Sequence, residues 1–290
     1  MKIMLIAAAV LAGCVKTPQV PQGTTPSSKV SYLCVGMEMS KRFGSCPGCE
    51  LDAKRLSTLM KSKYGYSGET LISEKATKSE VVKRLKAGIE GTPEDGLFLF
   101  FYSGHGGQES LGGKEPDGAD RKDEYLCLYD AHMLDDEIWE LVSKCKGRVF
   151  LYFDACHSAT MYRSVSFDLK AAQRSANGAK ALSCDSGDFT TSKGFTFRPE
   201  RFVKASAMDT DASRQPIRLL CWSGCKEAEY SYGGNNGGTL TICVVSNWKA
   251  GMSYSDLWSK ARKDVKKMQE TQNPVQTYVG DFPSGAEAFR

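Results

Sequence analysis

The sequence has no marked excess of charge of one sign. Its 290 residues include 38 Lys and Arg against 34 Asp and Glu, a formal net charge of +4, and the two signs are interspersed. Proteins that bind nucleic acid through its phosphates usually present a concentrated basic surface. The charge pattern therefore argues against nucleic acid as a partner.

Long apolar runs are also missing. The apolar run near the N-terminus, Ile3 to Val10, is much shorter than the roughly 20 residues of a transmembrane helix. Following Lys2, a run of this length is typical of a secretion signal. The next residues, Leu11-Ala12-Gly13-Cys14, resemble a bacterial lipobox, in which cleavage precedes the cysteine and its thiol is acylated.

This N-terminal pattern predicts a membrane-anchored lipoprotein of the bacterial cell envelope. Residues 1–13 would be the signal peptide, and Cys14 would be the lipidation site that attaches the protein to the membrane. An ordinary signal peptide, cut after small residues, is the alternative. Residues 14–29 contain several prolines, serines and threonines without an apolar cluster, which predicts a flexible tether.

Residues 30–282 are predicted to form one α/β domain. Short apolar strands alternate with helical patterns, which is typical of a mostly parallel sheet with helices on both faces. Gly96–Tyr102 and Arg148–Phe153 are apolar at successive positions, as expected of central strands covered on both faces. The other predicted strands are Val30–Val35, Thr70–Ile72, Ile217–Ser223 and Val275–Val279. Five helices are predicted: Leu51–Tyr64, a helix that is capped by Thr77 and Glu80 and ends at Gly91, Asp135–Lys144, Gly237–Trp248, and a last helix that includes Leu257 and Met268.

Two polar stretches interrupt this alternation. Gly112 to Glu124 is rich in glycine and charge and is predicted to be a loop. Residues 164–216 are polar, with scattered Lys and Arg and a short strand predicted near Phe202. A connection of this length is unusual in a compact domain, so we predict a flexible internal segment.

Chemically reactive residues follow both central strands. Ser103-Gly104-His105-Gly106-Gly107 follows the first, and Asp154-Ala155-Cys156-His157-Ser158 follows the second. Since the carboxyl ends of parallel strands share one edge of the sheet, His105 and Cys156 would meet there. His105 would take the Cys156 proton to give the nucleophilic thiolate, and the N–H groups of Gly106 and Cys156 would form an oxyanion hole. His157 is an alternative base, although a neighbour on a strand usually points away.

The sequences Phe-Tyr-Ser-Gly-His-Gly-Gly, residues 101–107, and Tyr-Phe-Asp-Ala-Cys-His-Ser, residues 152–158, resemble the His and Cys motifs of metacaspases, within the caspase-like superfamily. The similarity extends from about Val30 to about Phe282. It implies a caspase-like fold with a mostly parallel six-stranded sheet, and a cysteine endopeptidase that cleaves after Arg or Lys. True caspases differ, because their cysteine motif continues with Arg-Gly.

The same resemblance implies a substrate pocket. The family's Gly-Cys-x-x-Asp motif matches Gly48 to Asp52, which assigns Cys49 and Asp52 to the pocket, together with Ser103 and Asp154. Two carboxylates at a pocket floor suit a guanidinium, which offers a planar fork of donors. The expected partners are therefore peptides or proteins with a basic P1 residue. Alternatively, Asp52 is an ordinary carboxylate in the first turn of a helix and Asp154 caps the end of a strand.

The sequence contains residues of the kinds that bind calcium and zinc. Many metacaspases need calcium. Asp120 or Asp123, together with the Asp135-Asp136 pair, resemble their calcium ligands. The cysteine peptidase chemistry itself is expected to require no cofactor. The alternative is that these aspartates lie in a solvated acidic loop and at a helix start and bind no ion. The family has one more aspartate ligand a few residues after the nucleophile, and this sequence has Met161-Tyr162-Arg163 there. A zinc site built on Cys46 and Cys49 is disfavoured, since with only three histidines it would need Cys221 and Cys225.

The eleven cysteines do not suggest a disulfide framework. Setting Cys14 and Cys156 aside leaves an odd number, so at least one thiol stays free or pairs between chains. Several of the others lie in apolar runs and are expected to be small buried side chains.

Alternative functions remain open from the sequence. A non-catalytic caspase-like scaffold would bind peptides through the same groove, and a clostripain- or gingipain-type peptidase would share the preference for basic residues. If the chain is an active peptidase of this specificity, its internal basic segment would be a site of self-processing.

Overall fold

The computed structural model describes residues 29–110, 122–157, 217–226 and 229–290. The predicted signal peptide, Cys14, the internal segment 164–216 and the strand near Phe202 lie outside these residues. None of the helices among the described residues is long and apolar enough to cross a bilayer.

The described residues form ten strands and five α-helices. The strands are β1 (Val30–Gly36), β2 (Ser67–Ile72), β3 (Leu97–Ser110), β4 (Lys122–Cys127), β5 (His132–Leu134), β6 (Arg148–His157), β7 (Arg218–Ser223), β8 (Gly233–Gly234), β9 (Gly237–Gly238) and β10 (Val275–Val279). The helices are α1 (Cys49–Tyr64), α2 (Lys78–Gly91), α3 (Asp135–Val142), α4 (Thr239–Asn247) and α5 (Tyr254–Met268).

The predicted α/β fold with a mostly parallel sheet is confirmed. Six strands follow the order β10-β7-β6-β3-β1-β2. The pairs β1–β2, β1–β3, β3–β6 and β6–β7 are parallel, and β10 pairs antiparallel with β7 at one edge. β4 and β5 extend the sheet beyond these six strands through antiparallel pairing with β3 and with each other.

The central strands alternate between two hydrophobic cores. Phe101 and Tyr152 face the core packed by α1, α4 and α5, whereas Phe100 and Leu151 face the core packed by α2 and α3. Such double coverage explains why β3 and β6 are apolar at successive positions. The first core extends past the predicted boundary at Phe282, because Ala288 and Phe289 are also buried in it.

The boundaries of the elements around the reactive residues differ from the prediction. β3 and β6 do not end at Tyr102 and Phe153 but continue through the reactive residues to Ser110 and His157. The predicted loop to Glu124 is also too long, since β4 begins at Lys122. The antiparallel β3–β4 ladder, in which Gln108 pairs with Glu124, overrides the low strand propensity of these polar and glycine-rich residues.

The predicted capping box of α2 is half formed. The Thr77 hydroxyl accepts a hydrogen bond from the Glu80 amide at 3.3 Å. The Glu80 carboxylate accepts from Arg84 Nε at 2.5 Å, one turn along the helix. Ion pairing at i,i+4 on the helix surface thus competes with the return bond to the cap.

We predict that Gly88→Ala destabilises the protein. A Cβ atom at Gly88 in α2 would lie 2.1 Å from Cε2 of Phe98 on β3, a buried ring with 2% exposure. Overpacking of this kind should lower the free energy of unfolding by about 1–3 kcal/mol, measured by urea denaturation.

Gly91→Ala is the matched control in the same helix. No atom lies within 4 Å of a Cβ built at Gly91, so alanine should be neutral or stabilise by up to about 1 kcal/mol through helix propensity. Equal free energies of unfolding for the two variants would contradict the close packing of α2 against β3.

Candidate active site

The pairing of β3 with β6 brings the predicted catalytic residues together. The parallel register places Ser103 opposite Asp154 and His105 opposite Cys156. Adjacent strands lie roughly 4.8 Å apart, so the backbones of His105 and Cys156 are immediate neighbours. The side chains of Cys156 and His157 lie outside the part of the chain that the structure describes.

His105 is held by a main-chain carbonyl. Its side chain is buried, with 4% exposure, and its Nε2 lies 3.1 Å from the carbonyl oxygen of Ser45. Because a carbonyl can only accept, Nε2 must carry the proton in this contact, and Nδ1 is the nitrogen suited to act as a base. The Tyr102 hydroxyl supports the backbone here, 2.7 Å from the His105 carbonyl oxygen.

Asp52 lies in the first turn of α1 and is fully buried. Its Oδ2 accepts a hydrogen bond from the Ser103 hydroxyl at 2.7 Å. The Gly238 amide lies 2.8 and 3.0 Å from its two oxygens. These bonds connect α1 to β3 and to the residue that precedes α4.

Asp154 on β6 is also fully buried. Its Oδ1 accepts from the Ser231 hydroxyl at 2.8 Å. Its Oδ2 accepts from the Thr241 amide at 2.9 Å and from the Thr241 hydroxyl at 2.8 Å. Gln272 in turn donates to Ser231 at 3.0 Å, so that a chain of buried polar groups orients the carboxylate.

Both carboxylates therefore meet the N-terminus of α4. The Gly238 and Thr241 amides that bond Asp52 and Asp154 belong to the cap and first turn of that helix, where the helix dipole favours negative charge. The burial of two acidic groups is costly unless donors compensate it, and these donors do so. Burial raises the pKa of the nearby Tyr152 phenol well above its usual value, and the charge of Asp154 adds to that effect.

The four predicted pocket residues thus lie on adjacent elements. Ser103 joins Asp52 by a direct hydrogen bond and faces Asp154 across the β3–β6 pair. Cys49 is the first residue of α1, buried, with its sulfur 2.6 Å from that of Cys46. Gly106, predicted to be an oxyanion donor, pairs with Leu126 of β4 on one side and His157 of β6 on the other.

The predicted metal ligands do not form a cluster in the described residues. Asp135 is buried at the start of α3, while the adjacent Asp136 is exposed. Asp120 and the side chain of Asp123 lie outside the part of the chain that the structure describes. Within the described residues, no group of three His, Cys, Asp or Glu side chains could hold a metal ion, and the calcium site stays a prediction from the sequence.

A family model described as the caspase domain matches residues 33–279. The chain belongs to the caspase-domain family. Its relatives include Metacaspase-1A of Aspergillus fumigatus, 26% identical over 244 residues, which cover 74% of this chain and 59% of that protein. Metacaspase-1 of Pyricularia oryzae is 27% identical over 287 residues, which cover 86% of this chain and 71% of that protein.

Solved structures show the same fold. A crystal structure of a Geobacter sulfurreducens protein aligns with a TM-score of 0.62 and 23% identity, covering 89% of this caspase-domain chain and 97% of the other. Caspase-1 from Spodoptera frugiperda aligns with a TM-score of 0.52 and 13% identity, covering 90% and 92%. These likenesses confirm the predicted caspase-like fold.

Sequence reasoning missed several groups of the caspase-domain site. Ser45, Ser231 and Gln272 act through contacts between distant segments and have no motif that marks them. Thr241 belongs to a stretch that resembled the family, but its position in the first turn of a helix was the only hint that it binds a carboxylate.

We predict that Thr241→Val destabilises the protein more than Thr241→Ser does. Valine keeps the shape but removes the hydroxyl that donates to Asp154, and the loss of a hydrogen bond to a charged group costs about 1.5–3 kcal/mol. Serine keeps the donor and loses one methyl group, at about 0.8 kcal/mol. Urea unfolding compares the two, and equal stability of the valine variant and wild type would show that the hydroxyl does not compensate the buried charge.

Proposed function

We propose that the protein is a cysteine endopeptidase in which Cys156 is the nucleophile and His105 the acid/base. The observation that supports this most directly is the β3–β6 register, which pairs His105 with Cys156. Membership of the caspase-domain family and the resemblance to metacaspases point to the same chemistry. The Cys156 thiolate would attack the scissile carbonyl carbon, and water would later hydrolyse the acyl-enzyme.

The contact between Ser45 and His105 suits this role. With Nε2 donating to the Ser45 carbonyl, Nδ1 accepts the thiol proton and later returns it to the leaving amine. The carbonyl dipole also stabilises the imidazolium that forms between these two transfers. The N–H groups of Gly106 and Cys156 are the proposed donors to the oxyanion.

We propose cleavage after Arg or Lys. Asp52 and Asp154 are buried at the same end of the sheet as His105 and are oriented by fixed donors. A cationic P1 side chain near two desolvated carboxylates gains strongly, whereas an acidic one is repelled. The non-catalytic scaffold is the competing hypothesis, and the next experiment separates the two.

We predict that Cys156→Ala abolishes hydrolysis of fluorogenic peptides with Arg or Lys at P1, because the thiol forms the covalent intermediate. His105→Ala should lower kcat by about 10²–10⁴-fold through loss of proton transfer. The assay is run with and without calcium, which tests whether an ion contributes.

Cys145→Ala is the matched control. Cys145 is a buried cysteine just before β6, at the end of that strand opposite Cys156, so its removal should leave kcat unchanged. Wild-type protein that cleaves no peptide yet still binds arginyl peptides would favour the scaffold, and activity in Cys156→Ala would exclude the proposed nucleophile.

We predict that replacing P1 Arg by citrulline, which keeps the shape and removes the charge, lowers kcat/KM by about 30-fold or more. The loss of a buried charge pair costs roughly 2 kcal/mol at least, and every 1.4 kcal/mol corresponds to about tenfold. Asp52→Asn should reduce the difference in kcat/KM between the arginine and citrulline substrates. Equal cleavage of both, or preference for P1 Asp, would contradict the carboxylate pocket.

Lipid anchoring through Cys14 and self-processing in segment 164–216 remain proposals from the sequence. Membrane fractionation of wild type and Cys14→Ser tests the anchor, and a soluble wild-type protein with an unmodified N-terminus would contradict it. N-terminal sequencing of wild type and Cys156→Ala tests self-processing, which requires nicks in the wild type alone.

A further inference from the structure

A tight turn, Cys46-Pro47-Gly48-Cys49, connects two parts of the candidate active site. It directly follows Ser45, whose carbonyl binds His105. It leads into α1, whose first turn contains Asp52. The proposed proton transfer by His105 and attack by Cys156 do not involve the sulfur atoms of Cys46 and Cys49.

The backbone of this turn is fixed. The Cys49 amide donates to the Cys46 carbonyl at 3.3 Å, which closes a four-residue turn. Gly48 has φ 85° and ψ −6°, the values of the third residue of a type II turn, and proline is favoured before it. A Cβ atom at Gly48 would lie 2.1 Å from the Gly234 carbonyl oxygen, so the turn is packed against the β8–β9 hairpin.

The turn brings the two thiols into contact. The sulfur atoms of Cys46 and Cys49 lie 2.6 Å apart, and the two residues are 1% and 0% exposed. No other side chain can lie between them. The flanking Ser45 and Pro47 are exposed, so the pair lies just beneath the surface, and a reagent would reach it through a local opening of the turn.

We propose that Cys46 and Cys49 are a redox-active dithiol that closes to an intramolecular disulfide. The oxidant is a disulfide of the glutathione or disulfide-oxidoreductase class. One thiolate attacks the oxidant and releases its first thiol, and the second cysteine then displaces its other thiol from the mixed disulfide. Two electrons pass to the oxidant, two protons leave the cysteines, and one S–S bond replaces another.

The disulfide would join the two ends of the turn between Ser45 and Asp52. It would therefore stiffen the connection between the carbonyl that orients His105 and the carboxylate at the pocket. This consequence rests on the proposed function, whereas formation of the disulfide does not. Differential alkylation reads the state of the thiols directly and gives the same answer whether or not the protein is a peptidase.

The experiment is differential alkylation of the full chain, as wild type and as Cys156→Ala, so that the proposed nucleophile does not interfere. Each protein is incubated with oxidised glutathione or with dithiothreitol, denatured, alkylated with iodoacetamide and digested with trypsin. The peptide Phe43–Lys54 contains Cys46 and Cys49 and no other cysteine. We expect it to be doubly alkylated after reduction, and unlabelled and two hydrogens lighter after oxidation.

The peptide Val30–Lys41 is the internal control, because it contains only Cys34. Burial raises the pKa of the Cys34 thiol, which disfavours the thiolate needed for exchange. It should be alkylated in both samples. Cys49→Ser should instead retain glutathione on Cys46, since the resolving thiol is gone.

Either of two results would overturn the proposal. One is full alkylation of Cys46 and Cys49 after the folded protein has been incubated with oxidised glutathione, under conditions in which the denatured chain does form the disulfide. The other is a glutathione adduct in wild type that never closes to the lighter peptide. A disulfide in Cys156→Ala without peptidase activity in wild type would support this proposal and contradict the proposed function alone.

Discussion

Two buried carboxylates at the N-terminus of α4 are the constraint on which the rest of the site depends. Asp52 and Asp154 are fully buried, and each must find donors or destabilise the fold. The donors come from β3, the segment around Ser231, and the amides of Gly238 and Thr241. Satisfying these two acids therefore fixes α1, the central strands and α4 relative to one another.

The sheet supplies the second fixed relation. Because β3 and β6 are covered by helices on both faces, a shift of one residue in their register would move every side chain to the opposite core. Phe101 and Tyr152 pack in one core while Phe100 and Leu151 pack in the other, so such a shift would disrupt the close packing of both cores. The pairing of His105 with Cys156 is thus enforced by apolar residues several positions away from the chemistry.

This explains which features the sequence could predict. The buried strands and the helices have strong apolar patterns, and both catalytic motifs follow such strands, so their meeting could be inferred from the chain alone. The continuation of β3 to Ser110 could not, because its glycine-rich and polar residues are typical of loops and become a strand only by pairing with β4. Tertiary pairing decides the structure where local propensity is weak.

Three of the contacts that sequence reasoning missed share a physical feature. The Ser45 carbonyl and the Gly238 and Thr241 amides are main-chain groups, so the identity of the side chain at those positions leaves no signature of the contact. A site assembled this way tolerates extensive substitution, because backbone donors persist wherever the elements keep their positions. Residues whose backbone geometry excludes a side chain are the exception, because only glycine fits there. Gly48 is one of these, since both its positive φ and its contact with Gly234 exclude a side chain.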